Sequence, residues 1–316
     1  MTPRITIVGS INIDLVFRTP RMPMLGETIS GDGFRQVAGG KGANQAVAAA
    51  RQGAEVRFIG AVGDDEFGRS ALAGLRGNDI CIEGVLTVPG VATGVAGIFV
   101  DSDGANSIVI APGANDVLSV AQVEAAAATI EGASYLVCQL ESPLDTVTRA
   151  IEIARAAGVK VVLNAAPAAD LPDSLLAMTD YLVVNETEAS QLSGLDVRGT
   201  EDAVAAGRAL CRRGAGAVLL TMGESGVLVS DCNTQHLIPA AKVLPIDTTA
   251  AGDTFVGALT VALARGMTLE VATREAQYAA ALAVTRIGAQ TSIPTREELQ
   301  QFIDSRGGRA ALGLDL

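Results

Sequence analysis

A helix that starts on small residues and carries a carboxylate in its first turn can hold an anion and place a base beside it. Segment 246–255, IDTTAAGDTF, has this build. It enters a periodic helix whose apolar positions include Phe255, Leu259 and Val261, and Ala250, Ala251 and Gly252 stand just ahead. Their backbone N–H groups would lie bare at a helix N-terminus, where orphan donors and the dipole favour a phosphoryl group in transfer. Asp253 then has two readings. It either favours the dipole, or it is the base that takes a proton from a substrate hydroxyl as that hydroxyl attacks the γ-phosphate of a nucleotide.

A second glycine-rich turn, VAGGKGAN at 37–44, resembles a phosphate loop but fails the Walker pattern. Gly42 follows Lys41 where Ser or Thr is needed, and no glycine stands five residues before Gly40. Paired glycines let the backbone approach a ligand closely, and Lys41 and Asn44 offer donors suited to a polyhydroxy compound. A helix-entry turn would use the same residues. A zinc site or a disulfide framework has little to build on. The four cysteines form no C-x-x-C pair and His236 is the single histidine, so Cys81, Cys138, Cys211 and Cys232 read as reduced thiols, mostly in the core.

The elements that must position these groups follow from periodicity. Short β-branched runs at 5–8, 56–62, 135–140, 159–163, 181–184, 218–221 and 227–230 read as strands. Ala-rich segments with three- and four-residue apolar steps, at 44–51, 121–130, 144–157, 201–213, 253–265 and 269–286, read as helices. Strands apolar on both faces, alternating with helices, predict an α/β fold with a mostly parallel sheet covered on both sides. Two regions break the rhythm, 15–37 and 92–110, the second with two strands around a polar turn at Asp103 and Gly104. They predict a small antiparallel β lid inserted into a core of residues 1–14, 38–91 and 111–305, with a loosely ordered tail at 306–316. The lid would cover a ligand at the carboxyl ends of the strands. With 23 Lys and Arg against 35 Asp and Glu, the net charge of −12 argues against a nucleic-acid partner. Neither a secretory leader nor a membrane-spanning run is legible, which predicts a cytoplasmic protein.

Six ordered segments now add up. GSINID at 9–14, GGKGANQAVAAAR at 39–51, QLESP at 139–143, NETEA at 185–189, DTTAAGDTF at 247–255 and AVTRIGAQTS at 283–292 span nearly the whole chain. In this order they resemble the ribokinase family of carbohydrate kinases, of the phosphofructokinase-B type.

That resemblance implies ATP-dependent phosphorylation of a sugar, with Asp253 as base and the Ala250, Ala251 and Gly252 amides as anion hole. It implies that Asn12, Asp14, Gly40, Lys41, Asn44 and Glu141 hydrogen-bond the sugar, a set that favours ribose and its 5-hydroxyl over deoxyribose, other sugars or a nucleoside; an intact Asp253 and anion hole argue against a non-catalytic sugar-binding protein that kept the fold. Asn12 and Asp14 alone would also suit a turn after a strand, and Glu141 would also suit a solvated loop. It implies that Asn185 and Glu188 help hold Mg²⁺ and the ATP phosphates, Glu188 through water, although the pair also fits a capping box. Thr221, Gly223, Glu224, Ser225 and Gly226 would line the nucleotide with Gly252 and Gln277, where a plain turn is the other reading of 221–226. Asp247, Thr249, Ala283, Arg286, Gly288 and Ser292 match positions that bind an activating K⁺, mostly through carbonyls. Two departures stand out: Gln277 near the adenine, where such kinases can carry histidine, and Ala165 in place of a common proline. A homodimer through the lid follows from the resemblance and from the strand edges a lid exposes.

Overall fold

The computed structural model describes residues 2–231 and 233–314. Among them are thirteen strands: β1 (Arg4–Val8), β2 (Asn12–Arg18), β3 (Gly33–Gly39), β4 (Glu55–Gly63), β5 (Cys81–Val88), β6 (Gly94–Val100), β7 (Asn106–Ala111), β8 (Tyr135–Cys138), β9 (Lys160–Asn164), β10 (Tyr181–Asn185), β11 (Ala217–Thr221), β12 (Val227–Ser230) and β13 (Gln235–Ile238). Nine form one sheet in the order β13-β12-β11-β10-β9-β8-β1-β4-β5. The run from β11 to β5 is parallel, and β12 and β13 add antiparallel pairs at one edge.

Continuous apolar strands make this sheet because both faces are buried. Ile5, Ile7, Val137 and Val162 enter one core, covered by the Lys41–Arg51, Ala251–Ala264 and Leu269–Ala283 helices. Their neighbours Val8, Leu136, Cys138, Val161 and Leu163 enter the other, under the Leu144–Ala156 and Thr200–Arg212 helices. The predicted α/β architecture with helices on both faces is the one observed.

The smaller sheet runs β3-β2-β6-β7, two antiparallel pairs joined side by side by the parallel β2–β6 pairing. Between β6 and β7 the turn forms as expected, with Asp101 Oδ1 accepting the Asp103 and Ala105 amides at 3.0 and 2.9 Å. β2 starts at Asn12 and β3 runs to Gly39, so the sheet includes residues the sequence assigned to the core.

Other differences have local causes. The predicted 121–130 helix is two, Val120–Ala125 and Ala127–Glu131, broken at Ala126. In the tail expected to be loose, Gly308–Ala311 is a helix, Arg309 pairs with Glu275 and Leu314 is buried against the core, while 315–316 lie outside the described residues. Cys138 is buried, whereas the free thiols Cys81 and Cys211 are half-buried, and Cys232 lies outside the described residues.

Candidate active site

Parallel strands deliver polar residues to a common edge at their carboxyl ends. Ser10 and Asn12 follow β1, Gln139 and Glu141 follow β8, and Asn164, Asn185 and Thr221 close β9, β10 and β11. Over this edge the Ala251–Ala264 helix crosses the Lys41–Arg51 helix at Gly257, where a Cβ would stand 2.4 Å from Ala48 Cβ and 2.8 Å from the Ala49 amide nitrogen. That close approach brings the start of one helix onto the start of the other.

Asp253 is at the meeting point, 8% exposed. Asn44 Nδ2 donates to its Oδ2 at 2.9 Å and Gln45 Nε2 to its Oδ1 at 3.0 Å. Burial pushes the Asp253 carboxyl up, against the pull of Lys41 and the two amide donors, with Glu141 pushing further. The carboxyl group is thus rigidly held yet disposed to accept a proton. Asn44 Oδ1 is buried without a hydrogen-bond partner among the described residues, so one acceptor beside Asp253 still calls for a donor.

Around it the expected sugar-facing residues converge. Glu141 Oε2 accepts Ser10 Oγ at 2.5 Å and the Lys41 amide at 3.0 Å, and Ser10 Oγ accepts the Gly42 amide at 3.3 Å. Gly40 turns the chain there with φ +89°, a conformation that favours glycine, and a Cβ on it would meet the Asn12 amide nitrogen at 2.6 Å. Asn115 Nδ2 donates to Asn12 Oδ1 at 2.7 Å, which leaves the Asn12 NH₂ to be offered elsewhere. Asp14 is pressed so closely on Gly39 that a Cβ there would lie 2.4 Å from both carboxylate oxygens. Burial first, then Glu141 and Asp253, push Asp14 up to about 6. Burial alone would lower Lys41, but Asp253, Glu141 and Glu188 outweigh it and raise it.

At the helix entry, Ala250 adopts a left-handed φ of 59°, rare without glycine. Of the three amides expected to face an anion, Ala251 N donates to Thr248 O at 3.2 Å. A Cβ on Gly252 would meet nothing within 4 Å, so the space beside it is open.

Asn185 and Glu188 form the capping box in full, with reciprocal bonds of 2.8 and 2.9 Å. Burial raises Glu188, partly offset by the Asn185 amide and Lys41 and reinforced by Asp253, so its carboxylate shares the field of the Asp253 site. Gly223–Ser225 is a single 3₁₀ turn after β11, closed by Met222 N to Gly226 O at 2.8 Å. Thr221 Oγ1 leans on Val184 O at 3.3 Å, and Glu224 is exposed. Gln277 is buried and donates to Ile238 O at 2.9 Å, beside the Gly226 turn, so its amide also serves β13. Asp247 gathers the loop before the helix: it accepts Thr249 N and Oγ1 at 2.9 and 2.6 Å and Gly288 N at 2.9 Å. Ala283 O accepts the Arg286 amide at 3.0 Å, the Arg286 side chain pairs with Glu298, and Ser292 Oγ donates to Ala289 O at 2.8 Å.

A family model described as pfkB family carbohydrate kinase matches residues 2–296. The chain belongs to that family. It is 43% identical to the ribokinase of Haemophilus influenzae over 96% of this chain and 99% of that one. It is 38% identical to the deoxyribokinase of Salmonella typhi, over 95% and 98%. Arabidopsis thaliana ribokinase, solved with ribose and ATP, superposes with a TM-score of 0.86 at 32% identity, covering 96% of this chain and 99% of that one.

For this carbohydrate kinase, sequence reasoning missed the residues that hold the others. Ser10, Gln45, Asn115, Gln139 and Asn164 contact Glu141, Asp253, Asn12 or each other. Three of them lie inside the motifs that signal the kinase, Ser10 in GSINID, Gln45 in GGKGANQ and Gln139 in QLESP. A buried amide needs partners, and such residues next to a motif were the available signal. Ala165 is fully buried, its amide donating to Val183 O at 3.0 Å.

Proposed function

We propose that this kinase transfers the γ-phosphoryl group of ATP to the 5-hydroxyl of D-ribose, yielding ribose 5-phosphate and ADP. The observation that carries the reading is Asp253, a buried carboxylate with a raised pKa, fixed by Asn44 and Gln45 beside Lys41. Asp253 takes the hydroxyl proton, the oxygen's electron pair forms the new bond to the γ-phosphorus, and the bond to the β-phosphate breaks with its pair leaving on ADP. Asn12, Asp14, Gly40, Lys41, Asn44 and Glu141 orient the sugar, and donors with carboxylates in alternation suit a polyhydroxy ligand. The Gly252 amide faces the developing charge, joined by those of Ala250 and Ala251 once Ala251 releases Thr248. Asn185, Thr221, Gly223, Glu224, Ser225, Gly226 and Gln277 line the nucleotide.

Among the described residues no group of three His, Cys, Asp or Glu side chains could hold a metal ion. Glu188, with Asn185, would help to hold Mg²⁺ through water, and the ion would supply charge screening for the ATP phosphates. Asp247, Thr249, Ala283, Arg286, Gly288 and Ser292 offer the oxygen donors that fit K⁺, behind the Gly252 loop. The smaller sheet, residues 15–37 and 92–110 with their flanks, acts as a lid on the sugar. Its edge strand β7 is exposed throughout, with Val109 69% accessible, and a second copy covering it gives a homodimer. No described helix is long and apolar enough to cross a membrane, and ATP use with free thiols suits the cytoplasm.

Deoxyribose is the second reading, favoured by the 38% identity to a deoxyribokinase. The base assignment itself is tested by Asp253→Asn. Turnover is expected to fall by about 10²–10⁴-fold with ribose affinity within a few-fold of the parent; undiminished turnover would end the assignment.

A further inference from the structure

The two carboxylate oxygens of Asp253 have unequal surroundings, and a chain of buried amides fixes the inequality. Asn164 Nδ2 donates to Val183 O at 3.2 Å, so Asn164 Oδ1 is left as an acceptor. Gln45 Nε2 donates to that oxygen at 3.0 Å and, with its other hydrogen, to Asp253 Oδ1 at 3.0 Å. Gln45 Oε1 in turn accepts Gln139 Nε2 at 2.6 Å. Gln45 and Gln139 are fully buried and Asn164 is 8% exposed, so water does not compete for these bonds. Every polar atom of the Gln45 side chain is committed, and a flipped amide would face acceptor to acceptor at both Asn164 and Asp253. Asp253 Oδ1 therefore always meets an N–H. A proton on Oδ1 would collide with that donor.

Oδ2 is different. Its partner Asn44 has a second polar atom, Oδ1, with no hydrogen-bond partner among the described residues, so the Asn44 amide has an alternative role when a hydroxyl donor arrives. We infer that Gln45 is a positioning residue that reserves Asp253 Oδ1 as a permanent acceptor and so assigns proton uptake to Oδ2. The inference rests on the reading of Asp253 as the base. In the transfer step the sugar O–H proton passes to Oδ2, its former bonding pair forms the bond to the γ-phosphorus, and ADP leaves with the pair of the broken P–O bond. The charged groups facing Asp253 are Lys41 from the Lys41–Arg51 helix, Glu141 after β8, Asp14 on β2 and Glu188 on the Glu186–Ser193 helix. None of them bonds Oδ1; the hold on that oxygen belongs to Gln45.

The test is kcat against pH, at saturating ribose and ATP, for the parent, Gln45→Met and Gln139→Met, with ribose Kd measured alongside. Methionine keeps the volume and removes the donor. Gln45→Met is expected to lower kcat at neutral pH roughly 10-fold and move the acid limb of the profile up by about one pH unit, because a hydrogen bond to the ionised form is lost. Ribose Kd stays within about 3-fold. Gln139→Met, which removes the donor that holds Gln45 Oε1 and so loosens Gln45, shifts the limb in the same direction by less, and it decides alone if Gln45→Met does not fold. An acid limb identical to the parent's in the folded variants, even with lower thermal stability, overturns the inference and makes Gln45 a packing residue. That outcome leaves the base reading intact, whereas full turnover by Asp253→Asn removes the base reading and this inference together.

Discussion

At the residue scale, the site keeps groups that the fold would rather be without. Asp14 is the clearest case, since its carboxyl is pushed up to about 6 from an ordinary 3.8, by burial and then by Glu141 and Asp253. A raised folded-state pKa favours the protonated form, so the stability it contributes is present below about 4 and lost as pH rises through about 6. The sugar-binding role proposed for Asp14 has the opposite demand, because the ionised carboxylate is the better acceptor for hydroxyls. Ribose KM is therefore expected to fall as pH rises through about 6, while the free protein loses stability over the same range. Asp14→Asn separates the two: ribose affinity drops roughly 10-fold, and the Tm at pH 8 rises by about 2–4 °C relative to the parent. Calorimetry at pH 4 and pH 8 checks the second part, and an equal Tm for both proteins at pH 8 would show that Asp14 carries no electrostatic strain.

At the element scale, the strands that form the centre of the sheet were legible because they are apolar on both faces, as in ITIV at 5–8 and KVVLN at 160–164. β5 and β13 were not legible: they are edge strands, half-buried, with Glu83 and His236 interrupting any apolar run. Helix crossings leave a fainter mark still. Gly257 looks like a weak spot in an apolar helix, yet it is the contact that lets the Ala251–Ala264 helix descend onto Ala48 and Ala49. An added side chain has nowhere to go, and overpacking of this kind costs about 1–3 kcal/mol. Gly257→Val is expected to lower Tm and also to reduce kcat at least 10-fold, because Asp253 is drawn away from Asn44 and Gln45. A variant with reduced Tm but undiminished kcat would show that the crossing does not set the position of Asp253.

At the scale of the whole molecule, the site is assembled from distant sequence: Asn44 and Gln45 meet Asp253 across 209 and 208 positions, and Ser10 meets Glu141 across 131. The motifs announced which segments carry chemistry. They did not announce the buried amides between them, because Gln45, Gln139 and Asn164 act through partners that only the sheet edge brings together. The smaller sheet was visible as a break in rhythm, while its start at Asn12 was hidden in a motif that reads equally as a turn. The activity proposed for this assembly is phosphoryl transfer to ribose. The most direct measurement is ADP release from ATP and Mg²⁺ across a panel of pentoses and hexoses, deoxyribose included, with and without K⁺. Strong release is expected with ribose, raised by K⁺, and weak release with deoxyribose and the hexoses. Preference for deoxyribose or a hexose would contradict the assignment of the sugar-facing residues, and no release with any sugar would contradict the account as a whole.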